Sequence, residues 1–367
     1  MLYDVRTHPI GQPCTILGSG RTVLSEGERF DNRQFIHAGL SEVGRSKLYE
    51  SMFGGPLPDG LSDVERSSLE RALDERADEK FREVTGIESR YIFDGNLSDL
   101  AALAAQDALD RTGINVDEID AILVATNTPD EYNIANGVKK RITASVDAYC
   151  NTMMAACTVG ASVVFEGWKM VRLGFRRVLC IGAERATTLA SKDHYKAANL
   201  FGDAAFALVL GPADHEAFTF FAYRSDPFEN ADGKDQSRFI RRLPSGFDQD
   251  GPDVHKYVAK VLPAELQRIF KDLDLDPASI DHFIPHQASR WTNEVLVDKL
   301  KQERRWGVSF RAVIHSNVVE MGNTSAASTG WLYARAEAQG LITSGQRCLV
   351  ASFGAGMSYT FYLFTAP

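Results

Sequence analysis

The chain has 367 residues, 44% hydrophobic and 24% charged, with a formal net charge of -9 at pH 7. This is a globular composition with room for two halves of ordinary size, and its acidic balance argues against a nucleic-acid partner. No apolar run reaches the roughly 18 residues that a membrane span needs, and Met1 to Pro13 holds no continuous hydrophobic stretch, so neither a span nor a signal peptide is expected and the expected location is cytoplasmic.

Thr15 to Ser19 reads as an opening strand. Gly18-Ser19-Gly20 lacks the third glycine of a dinucleotide fingerprint, so a strand turn is expected there and no nucleotide cofactor. Residues 30–80 are the least regular part, where a Gly-Gly-Pro-Leu-Pro loop (54–58) precedes a charge-rich helical pattern from Ser62 to Glu83. That pattern reads as a solvated helix, or more sharply as a lid or cofactor-binding element. From Leu97 onward helix and strand alternate. Leu100, Leu103, Ala104 and Ala108 share a helical face, and Ala121 to Thr126 has the unbroken apolar character of a strand covered on both sides. Residues 136–144 read as a helix, 147–153 as a strand, Thr158 to Leu173 as an apolar central helix, Val178 to Ala183 as a strand and 201–210 as a hairpin-like segment. The variable stretch 212–250 receives no element. The second half repeats the order and ends in Cys348 to Ser352, Phe353-Gly-Ala-Gly356 and a strand from Tyr359 to Phe364.

The repeat is specific. Glu-Ile-Asp-Ala-Ile-Leu-Val-Ala-Thr (118–126) aligns with Ser-Ile-Asp-His-Phe-Ile-Pro-His-Gln (279–287), which puts His286 at a strand end. Cys157 and Asn323 each precede a small-residue helical run, and Gly174 and Gly340 follow at the same interval, each giving way to a short apolar strand. An α/β fold of two related halves follows, with paired sheets and central helices.

The five cysteines (14, 150, 157, 180 and 348) are odd in number and contain no C-x-x-C, so they read as free thiols with neither a disulfide framework nor a metal site. Among them Cys157 stands at a helix start, where unpaired N–H groups would lower a thiol pKa toward roughly 3.5–7.5, and Ala155, Ala156, Gly160 and Ala161 leave room around it. Cys150 breaks the repeat interval and reads as a strand residue, as do Cys180 and Cys348. Asp203 reads as a turn residue.

Met-Ala-Ala-Cys157, Phe201-Gly-Asp, Ile284-Pro-His286-Gln-Ala, Gly322-Asn323-Thr-Ser-Ala-Ala-Ser and Phe353-Gly-Ala-Gly356 resemble, in order and over nearly the whole chain, the thiolase superfamily and more narrowly β-ketoacyl-ACP synthase III. The resemblance implies a thiolase fold with layered αβαβα architecture. Its N-terminal half would be 1–213, with an insertion at about 30–80, and its C-terminal half 214–367. It also implies an acyltransferase in which Cys157 carries an acyl group while His286 and Asn323 donate hydrogen bonds to a malonyl thioester carbonyl. The backbone N–H groups of Cys157 and Ala355 would form an oxyanion hole, and Phe353 would contact substrate. No resident cofactor is implied, because substrates arrive on coenzyme A or on the phosphopantetheine of an acyl carrier protein. The implied partners are that carrier, acyl and malonyl thioesters, and a second copy in a homodimer.

The chain departs from the family in three places. Lys80 stands where coenzyme A users carry a Trp, and Val84 where an Arg follows. Ser289 ends Pro-His-Gln-Ala in place of Asn, and Trp291 replaces an Arg linked to carrier docking; Arg290 with Lys299, Lys301, Arg304 and Arg305 is a candidate basic patch. The segment 128–134 corresponds to a loop that reaches the partner's acyl pocket, and it offers Asp130, Glu131 and Asn133 where a bulky aromatic is common. An altered pocket and specialised polyketide or fatty-acid-derived metabolism are the expectation. Two other readings remain open: transfer of the acyl group from Cys157 to a hydroxyl or amine, and a silent partner subunit of a heterodimer. A non-decarboxylative Claisen reaction is a further variant and would need a base such as Glu131.

Overall fold

The computed structural model describes residues 1–7, 11–128, 130–225, 240–243, 246–249, 251–302, 310–355 and 357–367. The strands of the first half are β1 (Leu2–Asp4), β2 (Cys14–Arg21), β3 (Arg29–Asp31), β4 (Ser89–Tyr91), β5 (Ala121–Ala125), β6 (Tyr149–Met153), β7 (Val178–Arg185) and β8 (Asp203–Pro212). Those of the second are β9 (Phe218–Ser225), β10 (Ile240–Leu243), β11 (Gly246–Gln249), β12 (His282–Pro285), β13 (Val313–Ile314), β14 (Arg347–Gly354) and β15 (Ser358–Thr365). The helices are α1 (Asn32–Ala38), α2 (Glu42–Phe53), α3 (Asp63–Thr85), α4 (Leu97–Thr112), α5 (Ile134–Arg141), α6 (Val159–Arg172), α7 (Tyr195–Ala198), α8 (Gly251–Asp272), α9 (Arg290–Gln302), α10 (Val318–Met321) and α11 (Ser328–Ala338).

Two sheets carry the same strand order. The first runs β2-β8-β7-β5-β6 and the second β9-β15-β14-β12-β13, with β1 added outside β9. In each, the two pairings at one end are parallel (β5 with β6 and β7; β12 with β13 and β14) and the two at the other end antiparallel (β8 with β2 and β7; β15 with β9 and β14). The duplication read from the sequence is therefore a duplication of topology. Gly174 and Gly340, which close the equivalent helices α6 and α11, both take left-handed backbone (φ 110° and 69°) with open space where a Cβ would be, so conformation and not crowding calls for glycine.

Helices α6 and α11 form the middle layer. Val163, Val164 and Trp168 from one and Trp331, Leu332 and Tyr333 from the other join one apolar cluster with inward residues of both sheets. Helices α4 and α5 cover the outer face of the first sheet, and α8 and α9 that of the second. This is the αβαβα sandwich, and five apolar layers explain why β5, β7 and β8 are buried on both faces and read as continuous hydrophobic runs. Gly18 and Gly20 lie within β2 against α4, where a Cβ on Gly20 would come within 2.2 Å of the Ala108 nitrogen; they permit close helix-sheet packing.

The stretch 212–250 is not featureless. It contains β9, whose Phe218, Phe220, Phe221 and Ala222 are buried between β1 and β15. Being covered on both faces, it lacks the polar alternation that marks a strand in sequence. The segment 30–80 folds as α1, α2 and most of α3. Phe35, Leu48, Tyr49, Leu73 and Phe81 from these helices pack with Phe201 into a satellite core. Ser62 and Glu65 form a capping box that starts α3. Within the satellite core, buried Asp74 accepts from Tyr49 Oη at 2.7 Å and lies 2.8 Å from His37 Nε2. Among the described residues, no helix is long and apolar enough to cross a membrane.

Candidate active site

Cys157 sits two residues ahead of α6, in a tight loop at the junction of the two halves. Ala156 before it is left-handed (φ 50°), a conformation that costs a non-glycine residue about 1 kcal/mol or more. Bonds from both directions hold the loop. Asn127 Nδ2 donates to Ala156 O at 2.9 Å, Ser352 Oγ of β14 donates to Cys157 O at 3.2 Å, and Thr158 Oγ1 lies 3.1 Å from Ser358 Oγ of β15. A Cβ on Gly354 would fall 2.9 Å from the Cys157 nitrogen and 3.1 Å from Ala156 Cβ, so the end of β14 passes directly beneath the cysteine amide. Ala355, the other predicted oxyanion donor, follows Gly354 and is buried; Gly356 lies outside the described residues.

The sequence reading of the thiol is corrected in one respect. Burial pushes the Cys157 pKa up to about 11, with the Glu184 charge adding to the rise and a hydrogen bond from Ser325 opposing it. The positive end of α6 works in the favourable direction, yet it stands against desolvation and a buried carboxylate, neither of which is visible locally in sequence.

His286 follows β12 and is 2% exposed. Burial lowers its pKa to about 3, so the imidazole is neutral. Its Nδ1 lies 2.6 Å from Ser328 Oγ, at the start of α11, and its ring stands edge-on to Phe353 at 5.0 Å. A hydroxyl proton donated to Nδ1 fixes the tautomer that carries hydrogen on Nε2. Phe353 is itself buried, and acts as the wall against which the imidazole rests.

Asn323 does not cap α11, which begins only at Ser328; a 3₁₀ turn (Ser325–Ala327) intervenes. Its Oδ1 accepts the Ser325 N–H at 2.8 Å, which leaves Nδ2 as the end free to donate elsewhere. Its backbone bridges Phe201, with Asn323 N donating to Leu200 O at 2.7 Å and Gly202 N donating to Asn323 O at 3.1 Å. This explains Phe201-Gly-Asp: a Cβ on Gly202 would meet Met321 O at 2.1 Å, and Asp203 accepts from Phe93 N, Thr187 N and Thr187 Oγ1. Asp203 is a buried brace, its pKa raised to about 6 by burial.

A cavity of about 980 Å³ opens between α3, α7, α8 and α9. Lys80 and Val84 of α3, His255 of α8 and Trp291 of α9 line it, as do Leu200 and Ala288, close in the chain to the Phe201–Asn323 bridge and to His286. Helix α3 is thus one wall of the cavity, more than a solvated helix. Trp291 is 40% exposed, with Nε1 donating to Glu83 O at 2.7 Å. Arg290 is turned aside: it pairs with Glu294 at 2.9 Å and its guanidinium lies 5.0 Å from the Trp291 ring centre. Lys80 pairs with Glu83. Arg304 and Arg305 of the basic patch lie outside the described residues. Asn133 is exposed and caps α5, its Oδ1 accepting Asn136 N at 3.2 Å; it is not among the residues that line this cavity. The Glu131 carboxylate is occupied by the Ser98 N–H at 2.8 Å and by the Ser98 hydroxyl.

Two residues at the centre were missed in the sequence, Glu184 and Ser325. The Ser325 hydroxyl lies 3.4 Å from the Cys157 sulfur and 3.2 Å from Glu184 Oε1. The position of Ser325 two residues after Asn323 was the available signal; Glu184, at the end of an apolar strand, gave only the oddity of a charge there. Of the remaining histidines, His282 and His315 form a buried pair at 3.0 Å, with His282 also 3.0 Å from Gln346 Oε1.

Sequence comparison places this arrangement among known proteins. The pattern of 3-oxoacyl-[acyl-carrier-protein] synthase III matches residues 145–227, and that of its C-terminal part residues 270–365. A β-ketoacyl-[acyl-carrier-protein] synthase III of a Synechococcus species is 31% identical over 304 residues, covering 78% of this chain and 88% of its own. Among solved structures, a priming β-ketosynthase of a polyketide biosynthetic pathway superposes with a TM-score of 0.76 at 21% identity, covering 98% of both chains. OleA from Xanthomonas campestris superposes with a TM-score of 0.75 at 16% identity, covering 98% of this chain and 100% of its own.

Proposed function

Because the chain belongs to the β-ketoacyl-ACP synthase III family of thiolase-fold condensing enzymes, we infer that it is an acyltransferase joining two thioesters by decarboxylative Claisen condensation through acyl-Cys157. The observation that carries the residue assignment is convergence. Cys157 comes from one half and His286, Asn323 and Phe353 from the other, and hydrogen bonds and close packing tie all of them to the loop before α6 and the turn before α11.

Acylation begins with attack of the Cys157 sulfur on the acyl carbonyl. The Cys157 and Ala355 N–H groups stabilise the tetrahedral oxyanion, each such donor worth about 10²–10³ in rate, and the carrier thiol departs. A malonyl thioester then places its carbonyl oxygen between His286 Nε2–H and Asn323 Nδ2–H. Its C–C bond to the carboxylate breaks, carbon dioxide leaves, and the enolate is held by those two donors. The nucleophilic carbon attacks the acyl carbonyl and the Cys157 thiolate is released. A neutral His286 suits this role, since it donates a hydrogen bond without handing its own proton to the enolate. No step needs a resident cofactor, because the leaving carboxylate supplies the electron pair. The Ser98 bonds occupy the Glu131 carboxylate, which counts against Glu131 as the base of a non-decarboxylative reaction and favours the decarboxylative course.

The thioester donor would enter by the cavity between α3 and α9, with Trp291 as the aromatic surface near its mouth and Lys80 close to carrier phosphate; coenzyme A and an acyl carrier protein both fit that description. A homodimer belongs to the same proposal. Strand β6 is the outer edge of its sheet, and exposed Tyr132, Val146, Tyr149 and Met154 surround it, an unpaired strand with an apolar margin suited to a second copy. In that assembly Asn133 would approach the partner's acyl pocket. A cytoplasmic location is supported by free thiols at 14, 150, 157, 180 and 348.

Intact mass after incubation with a panel of acyl-coenzyme A and acyl-carrier thioesters tests the reading, with Cys157→Ala as control and carbon dioxide release from malonyl thioester as the second measurement. An adduct on Cys157 with carbon dioxide release supports condensation, and an adduct without it indicates transfer to a hydroxyl or amine. Absence of any adduct would make the chain a silent partner subunit.

A further inference from the structure

Glu184, at the end of β7, is wholly buried beside the nucleophile and, among the described residues, pairs with no cation. Its carboxylate is held by five neutral donors: Asn127 N (2.9 Å), Asn127 Nδ2 (2.7 Å) and Ser325 Oγ (3.2 Å) on Oε1, and Thr126 Oγ1 (3.2 Å) and Thr128 Oγ1 (2.8 Å) on Oε2. A carboxylate desolvated without a cation is costly, and it is the more notable for raising the pKa of the thiol nearby. Burial also raises its own pKa, with the hydrogen bonds from Thr128, Asn127 and Ser325 opposing. Ser325 links the two groups. It is held in left-handed backbone (φ 47°), where its N–H braces Asn323 and its hydroxyl reaches both Cys157 and Glu184. His286 offers no rival route for the thiol proton, since its Nδ1 is engaged by Ser328 and burial keeps the ring a poor base.

We propose that Ser325 and Glu184 form a proton relay for Cys157 in the acylation step, Ser325 touching the sulfur and Glu184 acting through it, with Asn127 positioning both. The inference rests on the acyl-Cys157 chemistry proposed above. As sulfur attacks the acyl carbonyl, the thiol proton passes to Ser325 Oγ while the Ser325 proton passes to Glu184 Oε1, and the sulfur electron pair becomes the new C–S bond. When the tetrahedral intermediate collapses, the bond to the carrier sulfur breaks and its pair leaves with that sulfur. The proton returns from Glu184 through Ser325 to the departing thiolate, which leaves from the carbon bonded to Cys157 Sγ and so within reach of the same hydroxyl. Nothing is oxidised or reduced, and the relay is reset. The other charged groups nearby are engaged elsewhere: Arg185 with Asp130 at 3.1 Å, and Glu131 with Ser98 and, more distantly, Arg141.

The test is single-turnover acylation of the full chain by decanoyl-coenzyme A, followed by intact mass between about pH 6 and about pH 10, in wild type, Ser325→Ala and Glu184→Gln. Loss of a general base is expected to slow both variants about 10²-fold near neutral pH, with the deficit shrinking as hydroxide takes over at high pH. Ser325→Ala removes a single oxygen and serves if Glu184→Gln does not fold. A deficit of equal size at every pH would mean a structural role only. Unchanged or faster acylation in Ser325→Ala would likewise overturn the relay, and so would faster acylation in Glu184→Gln, the result expected if the carboxylate merely raises the thiol pKa. If wild type forms no Cys157 adduct with this or any other thioester, the functional reading fails first and the relay with it.

Discussion

Replacing Gly160 by alanine tests the contact on which the site depends. A Cβ at this position would lie 1.8 Å from Ala326 O and 2.8 Å from its carbonyl carbon. An ordinary C···O contact is about 3.3–3.6 Å, so α6 and the turn before α11 must separate by roughly 1.5 Å. Alanine gains about 1 kcal/mol of helix propensity over glycine, but overpacking against backbone, which cannot swing aside, costs about 1–3 kcal/mol or more. We expect a net loss of stability of about 1–2 kcal/mol by urea unfolding. Function suffers more, because Gly160 lies three residues from Cys157 and Ala326 three from Asn323, and a displacement of about 1 Å costs on the order of 10² in rate. Formation of the Cys157 adduct and of β-ketoacyl product should both fall accordingly. Gly174→Ala is the control: its Cβ meets nothing, its left-handed backbone costs about 1 kcal/mol, and condensation should be unchanged. If Gly160→Ala is as stable as wild type and condenses at the same rate, the two central segments are not in the close contact described here.

Three further outcomes are expected. Burial lowers the pKa of His286 to about 3 and of His315 to about 4, so the stability tied to their neutral forms is present above about pH 6.5 and is lost as pH falls toward those values. His315→Asn should flatten the fall in urea midpoint between about pH 6.5 and about pH 4, and an unaltered slope would contradict the assignment. Ser328→Ala leaves His286 Nδ1 without its donor; carbon dioxide release from malonyl thioester should drop about tenfold or more while the rate of Cys157 acylation holds, and an equal loss in both steps would refute a tautomer-setting role. Trp291→Ala should raise KM for the thioester donor with little change in kcat, as measured by steady-state kinetics; an unchanged KM would exclude Trp291 from the entry path.

Much of the fold was legible because its signals are local. Unbroken apolar runs marked β5 and β7, small-residue periodicity marked α6, and the repeat of Gly174 by Gly340 announced two equivalent helix ends. Strand β9 escaped because burial on both faces erased its alternation. The roles proposed for Cys157, His286 and Asn323 likewise rest on short motifs. Helix α3 misled in part: its charges describe the solvent side, while Lys80, Phe81 and Val84 form the cavity wall only once α9 stands opposite.

Periodicity and motif spacing are properties of neighbouring residues, so the duplicated α/β order, and the motifs from which Cys157 is proposed as nucleophile with His286 and Asn323 as hydrogen-bonding companions, could be read without the fold. The environment of Cys157 came only with the packing of distant segments. A helix start favours a thiolate, yet burial and Glu184 move the Cys157 thiol the other way, and Ser325 bridges sulfur and carboxylate from the opposite half of the chain. Desolvation and charge proximity depend on which distant segments pack together, and no local pattern encodes that sum.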